Sequence, residues 1–308
     1  MKNSVDVVLA IYKPNHYLIE QLDSLVNQTY YNYINRIIIV NDSPELDSDI
    51  YRKIISYEKV SYNVNDSGSH GAKENFTYAL SLSNAMYIMT CDQDDVWKED
   101  KIEVSVERLI SLENSSTDKT PCLVATDVEV VDSNLTVIND SFQSFRGTTH
   151  RKYQKHSNLL VRNIYPGCSM AFNRALLEKA LPIPKSAIMH DWWLLSVSLL
   201  TGEVGFINQS TMLYRQHGNN TLGAHKSSLL KSLFNRSLTS NIALAEKQLQ
   251  EIFAQLRELD TNFNLAPYFD SSLLLKPTKL KLVKFLLLKY PYPIHKKLAI
   301  ICSVILSK

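Results

Sequence analysis

Short apolar runs alternate with amphipathic stretches through the first part of the chain. Val5 to Ile11 (VDVVLAI) is a β-rich run, and the stretch after it places Leu18, Leu22, Leu25 and Val26 on one helical face. The unit then repeats. RIIIV ends at Asn41-Asp42, a short helix is predicted near Ile50 to Tyr57, KVSYNV follows, and beyond Gly68 to Gly71 a helix runs through Phe76, Ala79 and Leu80. MYIMTC is the next strand, and Ile102, Val106, Leu109 and Ile110 mark another amphipathic helix. This alternation predicts an α/β fold: a mixed, mainly parallel sheet flanked by helices, with ligands gathering beyond the carboxyl ends of strands. Three such ends carry polar residues: Ala10 to Tyr12, Asn41-Asp42, and Asp92 to Asp95.

Farther on, the pattern loosens. CLVATDVEVVDSNLTVI predicts a β excursion, PGCSMAFNRALLEKAL a strand into a helix, and HDWWLLSVSLL a buried helix. GEVGFI reads as a strand and TMLYRQHGNNT as a further strand leading into a polar loop. After His225 the character changes: Ile242, Ala245, Leu249, Ile252, Leu256 and Leu259 form a helical seam, and eight lysines without one acid occupy Lys276 to Lys308. The expected organisation is a catalytic domain over 1–225 and a helical, lysine-rich C-terminal extension over 226–308.

With 308 residues and 45% apolar content, the chain has ample material for a large core. The net charge of +2 argues against nucleic-acid binding, but it hides an asymmetry: 13 lysines and arginines face 5 acids from Lys226 onward. Lysines interleaved with Leu, Val, Phe and Ile suit a helix lying on an anionic lipid surface, a peripheral membrane contact; the alternative is a cap over the core with a solvated basic face. The four cysteines lack C-x-x-C spacing, which argues against a disulfide framework or a zinc site and fits a reducing compartment. MKNSVDVVLAIYKPN reads as a first strand rather than a signal sequence, so a cytoplasmic location is expected. No segment reaches the ~18 to 20 uninterrupted apolar residues of a spanning helix.

Candidate chemistry concentrates in CDQDDVW, where Asp92, Asp94 and Asp95 fall within four positions at a strand end. Carboxylates this close repel unless donors or a cation offset them, and hard oxygen ligands suit Mg²⁺ or Mn²⁺. The plain alternative is a solvated acidic turn.

Taken in order, VVLAIYKPN, SLVNQTY, IIIVNDSP, CDQDDVW, HDWW and YRQHGNN resemble the family 2 glycosyltransferases, inverting nucleotide-sugar enzymes of the GT-A fold, over residues 5 to about 223. The DQDDVW and YRQHGNN forms are most similar to the bacterial rhamnosyltransferase branch. The resemblance implies a nucleotide-diphosphate sugar donor, dTDP-L-rhamnose by the branch or a UDP-hexose otherwise. It also implies a saccharide acceptor, which a membrane-binding tail would make lipid-linked.

By the same resemblance, Ala10, Tyr12 and Asp42 hold base and ribose, although Asn41 stands where the family commonly has a further aspartate and NDSP also reads as an ordinary turn. Asn75 and Phe76 match the helix after the third strand, where donor contact and core packing are equal readings. Asp92 corresponds to a contact with ribose or ion, Asp94 to the ligand of the diphosphate metal, and His217 to the histidine completing its shell, which inclines the metal toward Mn²⁺. Asp95 has no firm role, and Arg215 offers a fork for a phosphate. Asp191 matches the catalytic base, with a helix N-cap as its competing reading. Gly167, in PGCSMAFNR, admits close backbone approach to the donor sugar; Cys168 is a small packing residue, and Trp192 and Trp193 are core, one of them an acceptor platform.

A diphosphate leaving group gains charge that a metal neutralises without a proton, so one base and one metal suffice for an in-line displacement with inversion. A nucleotidyltransferase would also want paired aspartates, but AIYKPNHY has only Lys13 in place of a glycine-rich basic loop. A scaffold without turnover has no evident need of Asp94, Asp191 and His217 together.

Overall fold

The computed structural model describes residues 4–217, apart from 44, 117–118, 154–158 and 161. The expected extension over 226–308 and the loop beyond His217 lie outside the described residues. Of the described residues, those up to Gly147, Tyr165–Ile183 and those from Met189 form one compact unit. Thr148–Ile164 and Pro184–Ile188 belong to a second, which includes a short helix, His150–Tyr153 (α6). Every site residue discussed below belongs to the first.

The first unit alternates as its apolar periodicity predicts. Strand β1 (Val5–Ile11) leads to α1 (Tyr17–Val26), β2 (Ile34–Asn41) to α2 (Ser48–Ile55), β3 (Val60–Val64) to α3 (Ala72–Ser81), and β4 (Tyr87–Cys91) through the two-residue β5 (Val96–Trp97) to α4 (Lys101–Asn114). Next come β6 (Cys122–Val131), β7 (Val137–Asn139), α5 (Phe142–Arg146), β8 (Met170–Asn173), α7 (Arg174–Ala180), α8 (His190–Thr201) and β9 (Glu203–Arg215). Together the strands form one nine-stranded sheet in the order β3-β2-β1-β4-β8-β6-β9-β5, with β7 beside β6. β1 to β4 are mutually parallel, β8 runs antiparallel to both its neighbours, and β6 and β9 are parallel. The sheet is therefore mixed and mainly parallel.

Its core explains its stability. Val7, Leu9, Ile37 and Ile39 are fully buried in one cluster with Leu18, Leu22 and Leu25 of α1 and Ile102, Val106 and Leu109 of α4. Each such side chain contributes about 1.5–3 kcal/mol through burial. Reversal of β8 also has a positional effect. It brings the turn before β8, Gly167–Ser169, to the edge where β4 ends, and Thr90 Oγ1 donates to the Gly167 carbonyl at 2.6 Å. GEVGFI and TMLYR, expected as separate strands, are continuous in β9. The break is absorbed within the strand: Thr126 of β6 pairs Ile207 and Asp127 pairs Ser210, so the polar Asn208 and Gln209 are passed over in the ladder. No helix among the described residues is long and apolar enough to cross a membrane.

Candidate active site

The acidic loop after β4 is tied down from several sides. Asp95 is fully buried, and its Oδ1 accepts from the Arg215 backbone N–H at 2.9 Å. Burial, with Asp94 and Asp92 beside it, pushes its carboxyl well above the ordinary range. Asp92 is pushed up to about 7, by burial first and then by the charges of Asp94 and Asp191. Asp94 is engaged elsewhere: its Oδ2 lies 2.7 Å from His217 Nε2. Beneath the loop, the buried Lys101 ammonium sits 4.9 Å from the Trp97 ring centroid and reaches Thr211 Oγ1 at 3.3 Å; burial pulls it down to about 8.

Asp191 approaches the same place from α8. The N-cap position there belongs to Met189, so Asp191 lies in the first turn rather than capping the helix. Facing it is Gly167: a Cβ at that position would stand 3.2 Å from Asp191 Cβ, 3.3 Å from His190 Nε2 and 3.5 Å from Asp191 Oδ2. Only a glycine lets the turn approach this closely without displacing something. His190 is 3% exposed and stacks on Phe76, ring centroids 4.0 Å apart. Neither of its ring nitrogens has a hydrogen-bond partner among the described residues, and burial pulls its pKa down to about 3. The imidazole beside Asp191 is thus neutral.

At the ends of β1 and β2 the picture is more structural. Asp42 accepts from Asn65 Nδ2 at 3.1 Å, His70 Nδ1 at 2.6 Å and the Gly71 N–H at 2.8 Å, a carboxylate seated at the start of α3. Asn41 is spent internally, accepting from the Ser43 N–H and donating to the Tyr62 hydroxyl. Asn75 is buried and donates to the carbonyls of Val40 at 3.0 Å and Ile11 at 3.3 Å, clamping β1 to β2 where they end. Tyr12 stands 54% exposed, and Ala10 is half-buried one pair before the end of the β1–β2 ladder.

One expectation is corrected by these contacts, and three others are located by them. Arg215 is not a phosphate fork: it is 1% exposed and its guanidinium donates to the carbonyls of Asp94 and Ser133 and to Glu20. Phe76 packs in the core against His190, and Trp193 is core as well, its Nε1 donating to the Ala180 carbonyl at 2.9 Å. Cys168 is buried with its thiol pushed well up by burial, consistent with a packing role. Two residues were not anticipated. Gln93 pairs both amide atoms with the Tyr12 backbone, at 2.9 and 3.1 Å, and joins the acidic loop to the end of β1. Its lone amide among carboxylates was the available signal. The buried Lys101 announced itself only as a basic residue opening a helix just after an acidic run.

The family model for glycosyl transferase family 2 matches residues 6–181, more than half of the chain. The chain belongs to glycosyl transferase family 2. It is 28% identical over 238 residues to the dTDP-rhamnosyl transferase RfbG of Shigella flexneri, covering 70% of this chain and 74% of that protein. An uncharacterized glycosyltransferase of Rickettsia conorii is 30% identical over 114 residues, 37% of this chain but 18% of its own length. Among solved structures, S. aureus TarS 1-349 in complex with UDP-GlcNAc superposes with a TM-score of 0.55 at 11% identity, over 92% of this chain and 80% of that one. That likeness speaks to the fold, GT-A.

Among the described residues, two groups of side chains offer donor atoms that a metal could use. Asp92, Asp95 and Cys168 bring one ligand atom each within 4.8 Å of one another. A protonated thiol beside a buried carboxyl is a poor partner for a hard dication, which prefers oxygen and imidazole. Asp94 and His217 offer the oxygen and imidazole such an ion prefers, and their Oδ2 and Nε2 meet each other in a 2.7 Å hydrogen bond. Asp92 is coupled to Asp94 by charge. A carboxylate whose proton affinity is raised by a neighbouring charge gains from a bound cation.

Proposed function

We propose that this family 2 glycosyltransferase moves L-rhamnose from dTDP-L-rhamnose to a saccharide hydroxyl with inversion at the anomeric carbon, using Mn²⁺ or Mg²⁺. The observation that carries the reading is the convergence at one sheet edge of the Asp94–His217 pair with Asp191, whose charge is felt by Asp92. Asp94 and His217, with Asp92, would hold the dication, which supplies charge neutralisation for the departing diphosphate. Asp191 takes the proton of the attacking hydroxyl as the new bond forms. Gly167 keeps the turn before β8 close to that carboxylate. Neutral His190 spares Asp191 a competing positive charge.

The RfbG likeness supports the rhamnosyl donor. Tyr12, exposed at the end of β1, and Asp42 are the proposed contacts for base and ribose, with Ala10 beside them and Asn75 holding their strands in register. The domain boundary near 225 and a lipid-linked acceptor on the inner membrane face belong to the same proposal, supported by the lysine-rich sequence from Lys276. Deleting 276–308 then abolishes binding to anionic liposomes.

The deciding experiment incubates the purified full chain with dTDP-L-rhamnose, UDP-hexoses and a saccharide acceptor panel, with Mn²⁺, Mg²⁺ or chelator. Nucleotide release and the anomeric configuration of the product are read. Turnover of UDP-hexose alone replaces the donor assignment; a product of retained configuration refutes the mechanism.

A further inference from the structure

The end of β9 is fastened to the acidic loop and to α1 by one residue. Arg215 donates its backbone N–H to Asp95 Oδ1 at 2.9 Å, Nε to the Asp94 carbonyl at 2.8 Å, and one terminal nitrogen to the Ser133 carbonyl at 2.7 Å. Its other terminal nitrogen meets Glu20 Oε2 at 2.5 Å. The guanidinium carbon lies 4.1 Å from the centroid of the Tyr17 ring. That same ring is 5.5 Å from the imidazole of His217. Tyr17 therefore touches both residues that flank Gln216, and the Gln216 N–H is itself held by the Val131 carbonyl at 2.8 Å.

Resting on the reading of Asp94 and His217 as metal-holding, we propose that Tyr17 and Glu20 at the start of α1 act with Arg215 as positioning residues that present His217 to Asp94. The physical reason lies in where the bonds go. A side chain that only stabilised β9 would satisfy itself within the strand, whereas Arg215 grips the backbone of Asp94 while its own backbone carries His217 two residues on. Both members of the pair are thus referred to one rigid, planar group. Glu20 supplies the carboxylate that a buried guanidinium requires, and Tyr17 covers its face while bounding the imidazole. Orientation of a ligand by groups behind it is a known determinant of metal affinity, and loss of such a group costs roughly 10- to 100-fold.

The test is Mn²⁺ binding to the full chain, read by electron paramagnetic resonance with dTDP present and, in a parallel series, UDP. Glu20→Gln and Tyr17→Leu alter partly exposed positions and keep the buried arginine, so they serve where Arg215→Lys fails to fold. Each is expected to weaken Mn²⁺ binding by roughly tenfold or more. In a His217→Ala background the same substitutions are expected to add little, because their effect passes through the imidazole. Undiminished Mn²⁺ binding in Glu20→Gln and Tyr17→Leu, alongside weakened binding in His217→Ala, overturns the positioning role and leaves the metal reading intact. Equal losses with and without His217 overturn it too, as a general structural effect. Absence of Mn²⁺ binding in the unaltered protein overturns the metal reading and the positioning role together.

Discussion

His217 Nε2 stands 2.7 Å from Asp94 Oδ2, although 123 residues of chain separate them. The parallel β6–β9 ladder delivers one and the end of β4 delivers the other. Asp94→Asn removes a charged ligand atom at that point, and a loss of roughly 100-fold or more in metal-dependent nucleotide release is expected. A coupled assay titrated with Mn²⁺ reads it; unaltered turnover in this variant defeats the metal assignment.

Asp191 is expected to separate chemistry from binding. Asp191→Asn keeps shape and loses the base, so kcat falls by roughly 10²- to 10⁴-fold while affinity for the nucleotide sugar, measured by calorimetry, is retained. A parallel loss of donor affinity would move Asp191 from catalysis to binding.

Gly167→Ala places a methyl group 3.2 Å from Asp191 Cβ and 3.3 Å from His190 Nε2. Either the turn or α8 gives by a few tenths of an ångström. Displacement of a catalytic group on this scale predicts a drop in kcat of about tenfold or more, with an overpacking cost of about 1–3 kcal/mol in a denaturant melt. Wild-type kcat in this variant would mean that Asp191 need not be held where it is.

His190 makes stability depend on pH. Its native pKa is pulled down to about 3 from an ordinary 6.5, so between those values the unfolded chain binds the proton and the native chain does not. Stability is therefore full above 6.5 and is lost as pH falls below it, levelling off near 3. From pH 7 to pH 5 this one residue costs about 2 kcal/mol. Denaturant melts at the two pH values should show His190→Leu losing less stability than the unaltered protein by that amount. Equal losses would show that His190 is not held neutral.

The strand and helix pattern was legible because burial on both faces writes long apolar runs such as VVLAI and RIIIV, and the acidic loop was legible because three carboxylates at a strand end are conspicuous. Arg215 was misread for a physical reason. An arginine in a polar stretch looks solvent-facing in one dimension, and only the closing of β9 beside the acidic loop shows its donors already taken. The union of GEVGFI with TMLYR was hidden likewise, since Asn208 and Gln209 read as a break until the β6 register shows them passed over.

By itself the sequence determined most of the elements, the family and the chemical character of Asp92, Asp94, Asp191 and His217, since periodicity and side-chain type are local properties. Only the tertiary structure decided which of these meet. Contact between Asp94 and His217, the fit of Gly167 against Asp191 and the enclosure of Arg215 by Tyr17 and Glu20 arise from strand order and packing across distant segments, which no local pattern encodes.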